Sequence, residues 1–360
     1  MNNRTRIINT VLMREIDRQP FTFYFGPWKE TLERWRGEGL GERDWKTGLN
    51  LDSGFRHVDV NFGYCPEFTH EVIEERERTL LIRDKLGILQ EVRKHGQTIP
   101  KYIDYPVKDR SSWEKLKSER LDPDDKSRFP HNWDELVVEY NAGDHIMQLG
   151  CFPYGLFGTL RDMMGMEELS FMFYDDPELI RDMMDYLTDF WLVIYKKVCF
   201  NVKVHAIHIW EDMSGKTGSL ISMDMVREYM LPNYKRIAQF AKEHDIPIIS
   251  LDTDGDCTQL IPLFIEGGIN LVFPFEVAAG SDVNQYRQQY PELCIMGGID
   301  KREIAKGKDA IEKELDRIDN MFSSPGYIPA LDHLFHPEIS YKDFLYFTHA
   351  LEARIHKYKN

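Results

Sequence analysis

The chain has 360 residues, a formal net charge of −15 and a hydrophobic content of 42%. No apolar run approaches the roughly 20 residues that a membrane-spanning helix needs. The acidic balance excludes a general nucleic-acid or anionic-lipid surface, because such surfaces are built from clustered Lys and Arg. We therefore expect a soluble globular protein without nucleic-acid or membrane partners.

The N-terminal residues and the cysteines indicate the cellular compartment of the protein. Glu15 and Asp17 stand among the first arginines, and the apolar core and cleavage site of a secretory signal are missing. The five cysteines are odd in number, scattered and without CxxC spacing, which is typical of reduced thiols. The sequence therefore predicts a cytoplasmic protein.

The N-terminal third is irregular. Residues 21–26, FTFYFG, are typical of a strand, and residues 55–64 and 98–107 are expected to pair as a β excursion. No repeat or Pro/Gly/Ser-rich linker marks a domain boundary. We interpret residues 1–360 as one domain that is decorated by an excursion at residues 27–140.

From about residue 145, short β-like runs alternate with long helical ones, which predicts βα units and a parallel sheet. Asp176 with Pro177, Ser222 and Ser340 are expected to start helices. The β-like runs are residues 145–152, 205–211, 246–252, 269–276, 293–300 and 327–333.

Together with residues 21–26 and one strand from residues 55–106, these runs make eight strands. A (β/α)8 TIM-type barrel is therefore favoured over a doubly wound open sheet. No GxGxxG follows a strand and no GxxxxGK[ST] occurs, so a nucleotide-binding Rossmann or P-loop fold is disfavoured.

The residues that end the β-like runs are unusually polar. In a barrel of this type the active site lies at the carboxyl ends of the strands. A single carboxylate at such a place is commonly a helix N-cap, but repetition over successive strands predicts a converging acidic pocket. The polar residues at these ends are Glu211, Asp212, Asp252, Asp254, Glu276, Asp300, Asp332 and His333.

Carboxylates that are brought together must share protons, hold a metal or face a cationic ligand. Glu211, Asp252, Asp254 and His333 are the predicted catalytic residues and also the candidate metal ligands. They lack a tight spacing such as HExxH, so the presence of a metal stays open.

Other polar and aromatic residues near the strand ends are candidate substrate-binding residues. His205 and His208 point to opposite sides of one strand, so one of them can be a hydrogen-bonded core histidine. Lys216 can equally be a solvated loop residue. The candidates are Tyr24, Trp28, His208, Trp210, Lys216, Glu276 and Asp332.

Several segments resemble the uroporphyrinogen decarboxylase superfamily, which contains a haem-pathway decarboxylase and cobalamin-dependent methyltransferases. The resemblance runs through most of the chain from residue 145, and a weaker likeness occurs at REIDRQPF. It implies a distorted (β/α)8 barrel with an irregular N-terminal extension. The segments lie at residues 155–187, 209–237, 269–283, 294–307 and 327–344.

The resemblance is closer to the methyltransferase branch than to the decarboxylase. The Arg-rich segment with which the decarboxylase binds carboxylates is replaced at residues 23–30 by FYFGPWKE. The methyltransferases' His-x-Cys zinc motif is replaced by Asp252-Thr253-Asp254. His333 stands where the decarboxylase has an active-site histidine, and the resemblance implies a similar place for it here.

The resemblance and the acidic strand ends together predict a demethylase component of one-carbon metabolism. It would move a methyl group from a small O- or N-methylated substrate to a corrinoid on a separate protein. A divalent metal such as Zn²⁺ and a homodimer stay open. The alternatives are a decarboxylase or lyase that acts on a smaller substrate than the porphyrinogen, and a non-catalytic ligand-binding barrel.

Overall fold

The structure, a computed structural model, describes residues 1–94 and 100–358. Its centre is a curled parallel sheet with strand order β1-β6-β7-β10-β11-β12-β13. The strands are β1 (Phe55–His57), β2 (Glu71–Glu75), β3 (Thr79–Arg83), β4 (Leu89–Arg93), β5 (Lys101–Asp104), β6 (Ile146–Leu149), β7 (Ala206–Trp210), β8 (Ser214–Gly215), β9 (Gly218–Ser219), β10 (Ile248–Asp252), β11 (Leu271–Phe273), β12 (Cys294–Ile299) and β13 (Tyr327–Leu331).

Helices connect successive strands of this sheet and cover its outer face. The α-helices are α1 (Asn3–Val11), α2 (Lys29–Trp35), α3 (Arg110–Arg120), α4 (Trp133–Ala142), α5 (Leu156–Met164), α6 (Met166–Asp175), α7 (Pro177–Cys199), α8 (Met223–Met225), α9 (Leu231–Glu243), α10 (Ile261–Glu266), α11 (Val283–Gln289), α12 (Lys301–Ile304), α13 (Lys308–Arg317) and α14 (Tyr341–Lys357). Shorter π or 3₁₀ turns lie at Arg36–Leu40, Lys126–Arg128, Val226–Met230, Val277–Ala279 and Asp319–Ser323.

The predicted α/β barrel is confirmed. Every residue of β6, β7, β10, β11, β12 and β13 is buried, as expected for parallel strands that are covered on both faces. Neighbouring strands pair in parallel and follow one another in the chain. The carboxyl ends of these strands therefore meet at one edge, which we call the barrel mouth.

The helix starts are confirmed at the predicted residues. Asp176 accepts the N–H of Leu179, and Pro177 occupies the first turn of α7. Ser222 accepts the N–H of Met225, and Ser340 caps α14 in the same way. These side chains satisfy N–H groups that have no partner within the first turn of a helix.

The predicted strand at residues 21–26 is wrong. The Phe21 N–H donates to the Asp52 carboxylate at 2.9 Å instead of to a neighbouring strand. The segment joins the sheet at one parallel bridge between Pro27 and Phe335, with two backbone hydrogen bonds around it. The described part of the sheet therefore has seven strands. Residues 21–28 run between β13 and β1 without forming a continuous row of strand hydrogen bonds.

The predicted pairing of residues 55–64 with 98–107 is also wrong. β1 pairs with β6 in the parallel sheet, whereas β5 pairs with β4 in a separate antiparallel sheet of order β2-β3-β4-β5. Short connections favour pairing between neighbours in the chain. Residues 98 and 99 lie outside the described residues.

Two further features concern the chain as a whole. No helix within residues 1–94 and 100–358 is long and apolar enough to cross a membrane. All five cysteines are free thiols.

His205 precedes β7 and gives the fold an acid-sensitive contact. Its Nδ1 accepts the Met147 N–H at 3.1 Å, and burial lowers its pKa to about 4. Unfolding restores the ordinary pKa near 6.5, so the unfolded chain binds a proton first as the pH falls. This contribution to stability is present above pH 6.5 and is lost as the pH falls toward 4.

We expect His205→Asn to reduce this acid sensitivity, because an amide oxygen can replace Nδ1 as acceptor without titrating. Urea unfolding at pH 7 and at pH 4 measures the free energy of unfolding. Its decrease between these pH values should be larger in the wild type than in the variant, by about 3 kcal/mol at most. His349→Asn, which changes an exposed histidine, should keep the wild-type dependence. Equal pH dependence in His205→Asn and the wild type would contradict the prediction.

Candidate active site

The strand register brings the predicted polar residues to the barrel mouth. Asp252 at the end of β10 lies between Trp210 of β7 and Phe273 of β11. The residues that follow these three strands therefore leave the sheet at the same level. Asp212, Asp252, Asp254 and Glu276 interact electrostatically there, and we call them the acid cluster.

Asp252 is the most buried member of the acid cluster, with 7% of its surface exposed. Its carboxyl group has no hydrogen-bond partner within the described part of the chain. Burial holds the pKa of this carboxyl well above its ordinary value, and the charges of Asp254, Asp212 and Glu276 raise it further. Burial and the neighbouring charges therefore favour the protonated form of Asp252.

Asp254 and His333 form a pair at the mouth. The Nε2 atom of His333 lies 3.3 Å from a carboxylate oxygen of Asp254. The imidazole also stacks on Phe25, with ring centroids 5.2 Å apart and 23° between the planes. The pair joins the end of β10 to the end of β13 and sets the orientation of the imidazole.

Arg161 of α5 is a cation at the mouth that the sequence analysis missed. Its guanidinium donates to the Asp212 carbonyl oxygen at 2.7 Å and pairs with the Asp212 carboxylate at 2.8 Å. It also lies 5.0 Å from the centroid of a Trp210 ring. Asp212 has a φ of 41°, which is unfavourable for a residue with a side chain, so Arg161 holds a strained turn.

Glu211 points away from the acid cluster. It accepts N–H bonds from Leu156, Phe157 and Gly158 at the start of α5, and the Tyr234 hydroxyl at 2.8 Å. Burial raises its pKa to about 7, although these four donors favour the carboxylate. Glu211 is thus a buried cap for α5, and its carboxylate is engaged by these four donors.

Lys301 is a second cation at the mouth that the sequence analysis missed, and it lies between the carboxylates of Glu276 and Asp332. The lysine Nζ lies 3.0 Å from Glu276 and 3.9 Å from Asp332. Asp332 also accepts the N–H groups of Val277 and Lys301, and burial raises its pKa to about 6. Asp300 is an N-cap that accepts the Arg302 N–H and pairs with the Arg302 guanidinium.

Tyr24 and His208 lie inside the barrel below the acid cluster. The Tyr24 hydroxyl accepts the Gln148 amide at 2.9 Å, and its ring contacts Phe273 at a centroid distance of 4.5 Å. His208 lies 3.1 Å from the Ser250 hydroxyl, and burial lowers its pKa to about 3. His208 is therefore a neutral group in the barrel core.

The remaining candidates lie at or beyond the rim. Lys216 is exposed in the turn between β8 and β9, and its side chain has no partner among the described residues. Trp28 contacts the His336 ring, and Trp210 packs edge to face on Phe152. Trp210 thus lines the mouth, whereas the Lys216 side chain makes no hydrogen bond or ion pair to the acid cluster.

The four candidate metal ligands do not form one centre. Glu211 is turned toward α5, whereas Asp252, Asp254 and His333 face the mouth. Within residues 1–94 and 100–358, no three His, Cys, Asp or Glu side chains are arranged to hold a metal ion. The residues present therefore do not fit the metal site that their positions in the sequence suggested.

Comparison with known proteins gives three findings. The family model described as "Uroporphyrinogen decarboxylase (URO-D)" matches residues 79–354. A methylated-thiol–coenzyme M methyltransferase of Methanosarcina mazei is 31% identical over 137 residues, which are 38% of this chain and 35% of that protein. The match thus spans about a third of that relative's length.

The third finding is a solved structure of a methyltransferase from Methanosarcina mazei. It covers 99% of both chains with a TM-score of 0.59 and 12% sequence identity. At this identity the likeness concerns the fold.

Proposed function

The chain belongs to the uroporphyrinogen decarboxylase family, and on that premise we propose that it is a methyltransferase. It takes a methyl group from a small O- or N-methylated substrate and passes it to a corrinoid on a separate protein that docks at the barrel mouth. The observation that carries the proposal is the buried carboxyl group of Asp252, with its raised pKa, near the Asp254–His333 pair.

The charges at the mouth support a neutral or cationic substrate. Arg161 and Lys301 are both occupied by carboxylates of the chain itself. A substrate with many carboxylates, such as a porphyrinogen, needs free cations for its recognition. An acid cluster with its cations already paired would repel such a substrate.

A narrow apolar cavity next to the pair favours an aryl or alkyl group in the substrate. Its lining includes Tyr24, Phe25, Phe273, Phe335 and His333. A small organic ligand buries its apolar part against such walls and is oriented by a few polar groups. His333 would place the polar atom of the substrate near Asp254.

The chemistry requires an acid because an ether oxygen is a poor leaving group. Reduced cobalt on the partner protein supplies the nucleophile that accepts the methyl group. As the C–O bond breaks, its electron pair stays on oxygen, and Asp252 donates its proton to that oxygen. The resulting Asp252 carboxylate regains a proton from solvent through the Asp254–His333 pair.

The test is a direct assay of methyl transfer. The chain is incubated with a panel of methoxylated aromatics and methylamines and a reduced corrinoid protein, and the cobalt absorbance is followed. We expect a donor-dependent change of the cobalt spectrum with release of the demethylated product. Release of carbon dioxide without methyl transfer would overturn the proposal in favour of a decarboxylase, and ligand binding without turnover would favour a binding protein.

A further inference from the structure

Lys301 is the first residue of α12, just beyond the end of β12, and it lies between two carboxylates of the mouth. Its Nζ atom donates to Glu276 Oε1 at 3.0 Å and lies 3.9 Å from a carboxylate oxygen of Asp332. β12 lies between β11 and β13 in the sheet. Lys301 therefore joins the carboxyl ends of the two strands that flank its own.

Glu276 connects Lys301 to the segment that carries Asp254. One carboxylate oxygen of Glu276 accepts the lysine, and the other accepts the Gly255 N–H at 3.0 Å. Gly255, the residue after Asp254, has a φ of 76°, and a Cβ atom there would lie 2.6 Å from the Gly215 carbonyl oxygen. Glu276 thus fixes a closely packed turn on the C-terminal side of Asp254.

Asp332 connects Lys301 to His333, the next residue in the chain. The Asp332 carboxylate accepts the Lys301 N–H at 3.0 Å and the Val277 N–H at 3.1 Å. The Asp332 N–H donates to the Ile299 carbonyl oxygen at 2.8 Å. The backbone that carries His333 is therefore tied to the same lysine.

The two connections lead to the two members of one pair, since His333 Nε2 lies 3.3 Å from Asp254. The Asp254 carboxylate has no other hydrogen bond or ion pair to the described part of the chain. Its side chain is 38% exposed, so packing alone does not fix its position. The separation of the pair thus depends on where the neighbouring backbone lies.

The charge of Lys301 keeps the two carboxylates together. Without an ammonium group between them, Glu276 and Asp332 would repel each other. Their hydrogen bonds to backbone N–H groups would remain, so the fold should persist. The ends of β11 and β13 would then move apart, and Asp254 and His333 would move apart with them.

We propose that Lys301 is a positioning residue, which sets the contact between Asp254 and His333 through Glu276 and Asp332. Lys301 makes no hydrogen bond or ion pair to either member of the pair in the described chain. Its effect on a rate rests on the proposed function, whereas its effect on the pair requires no substrate. A displacement of about 1 Å in a reacting group can lower a rate by about 10²-fold.

The first test is Lys301→Met, which nearly keeps the length of the side chain and removes its charge. We expect kcat for methyl transfer to fall about tenfold and KM to stay within about twofold, because the apolar walls of the site are unchanged. Lys301→Arg should restore most of the rate, since a guanidinium can bind both carboxylates. Lys306→Met, which changes an exposed lysine paired with Glu303, should behave as the wild type.

An NMR measurement on the full chain without substrate tests the pair itself. Asp254→Asn should move the ¹⁵N resonance of His333 Nε2 in the wild-type background and move it much less in the Lys301→Met background. The double variant Lys301→Met, Glu276→Gln removes the repulsion, and in this background Asp254→Asn should again produce the wild-type shift.

Equal shifts in the wild-type and Lys301→Met backgrounds would overturn the role of Lys301, whatever the turnover of the wild type. A loss of turnover that Lys301→Arg does not restore would also count against it. A wild type without methyl transfer would instead contradict the proposed function and leave the NMR comparison unaffected.

Discussion

Asp252→Asn is expected to lower the turnover of an aryl methyl ether by about 10²–10⁴-fold, the usual contribution of a positioned general acid. Asparagine has nearly the same shape as the protonated aspartic acid but cannot give a proton to the departing oxygen. Asp252 has no side-chain hydrogen bond to lose among the described residues, so the fold should persist. The measurement is single-turnover methylation of the corrinoid protein, followed by cobalt absorbance.

The pH dependence of the methyl-transfer rate is a second test of Asp252 as the acid. The pKa of Asp252 is raised well above its ordinary value, so the donating form persists to higher pH than in an ordinary carboxyl group and disappears as the pH rises above that pKa. The wild-type rate should therefore fall on the alkaline side, and Asp252→Asn should lack this limb. Asp300→Asn, which changes an N-cap paired with Arg302, should keep wild-type turnover.

The choice of donor provides an internal control. A quaternary ammonium donor leaves as a neutral amine and needs no proton. With such a donor, Asp252→Asn should react as fast as the wild type. If both donors are slowed equally, Asp252 positions the substrate and does not protonate it.

Glu211→Ala is expected to have the largest effect on stability, with a loss of about 3–5 kcal/mol in the free energy of unfolding. The change leaves three N–H groups at the start of α5 and the Tyr234 hydroxyl without their acceptor in a fully buried place. Unpaired buried donors cost much more than a hydrogen bond contributes. Urea denaturation monitored by circular dichroism measures the loss.

Tyr234→Phe is the matched control, because it removes one donor and leaves the three N–H bonds to Glu211 intact. It should cost only about 1 kcal/mol. An unchanged urea midpoint for Glu211→Ala would contradict the assignment of Glu211 as the cap of α5. Normal stability combined with lost methyl transfer would instead restore Glu211 as a catalytic candidate.

Much of the barrel could be predicted from the sequence because its signals are local. Buried parallel strands form short apolar runs, and Asp176, Ser222 and Ser340 cap helices through neighbouring N–H groups. The position of Asp252 and Asp254 followed from the rule that strand ends share one edge. These inferences needed no knowledge of distant contacts.

The remaining features depend on distant partners. Glu211 and Asp212 are adjacent in the chain, yet one caps α5 and the other faces Arg161, and no sequence signal separates them. Arg161 and Lys301 belong to helices, so a search restricted to strand ends passed over them. Asp52 takes the N–H of Phe21 from across 31 positions, which an aromatic run alone does not reveal.

Residues 21–28 are not held by a row of interstrand hydrogen bonds, and this has a consequence for how binding properties change in evolution. Tyr24 and Phe25 line the cavity beside His333 from a stretch that is held to the sheet at Pro27 and Phe335. Exchanging such side chains breaks no row of interstrand bonds. New substrate selectivity can thus arise along this stretch with little loss of folding free energy, while the seven strands of the sheet stay unchanged.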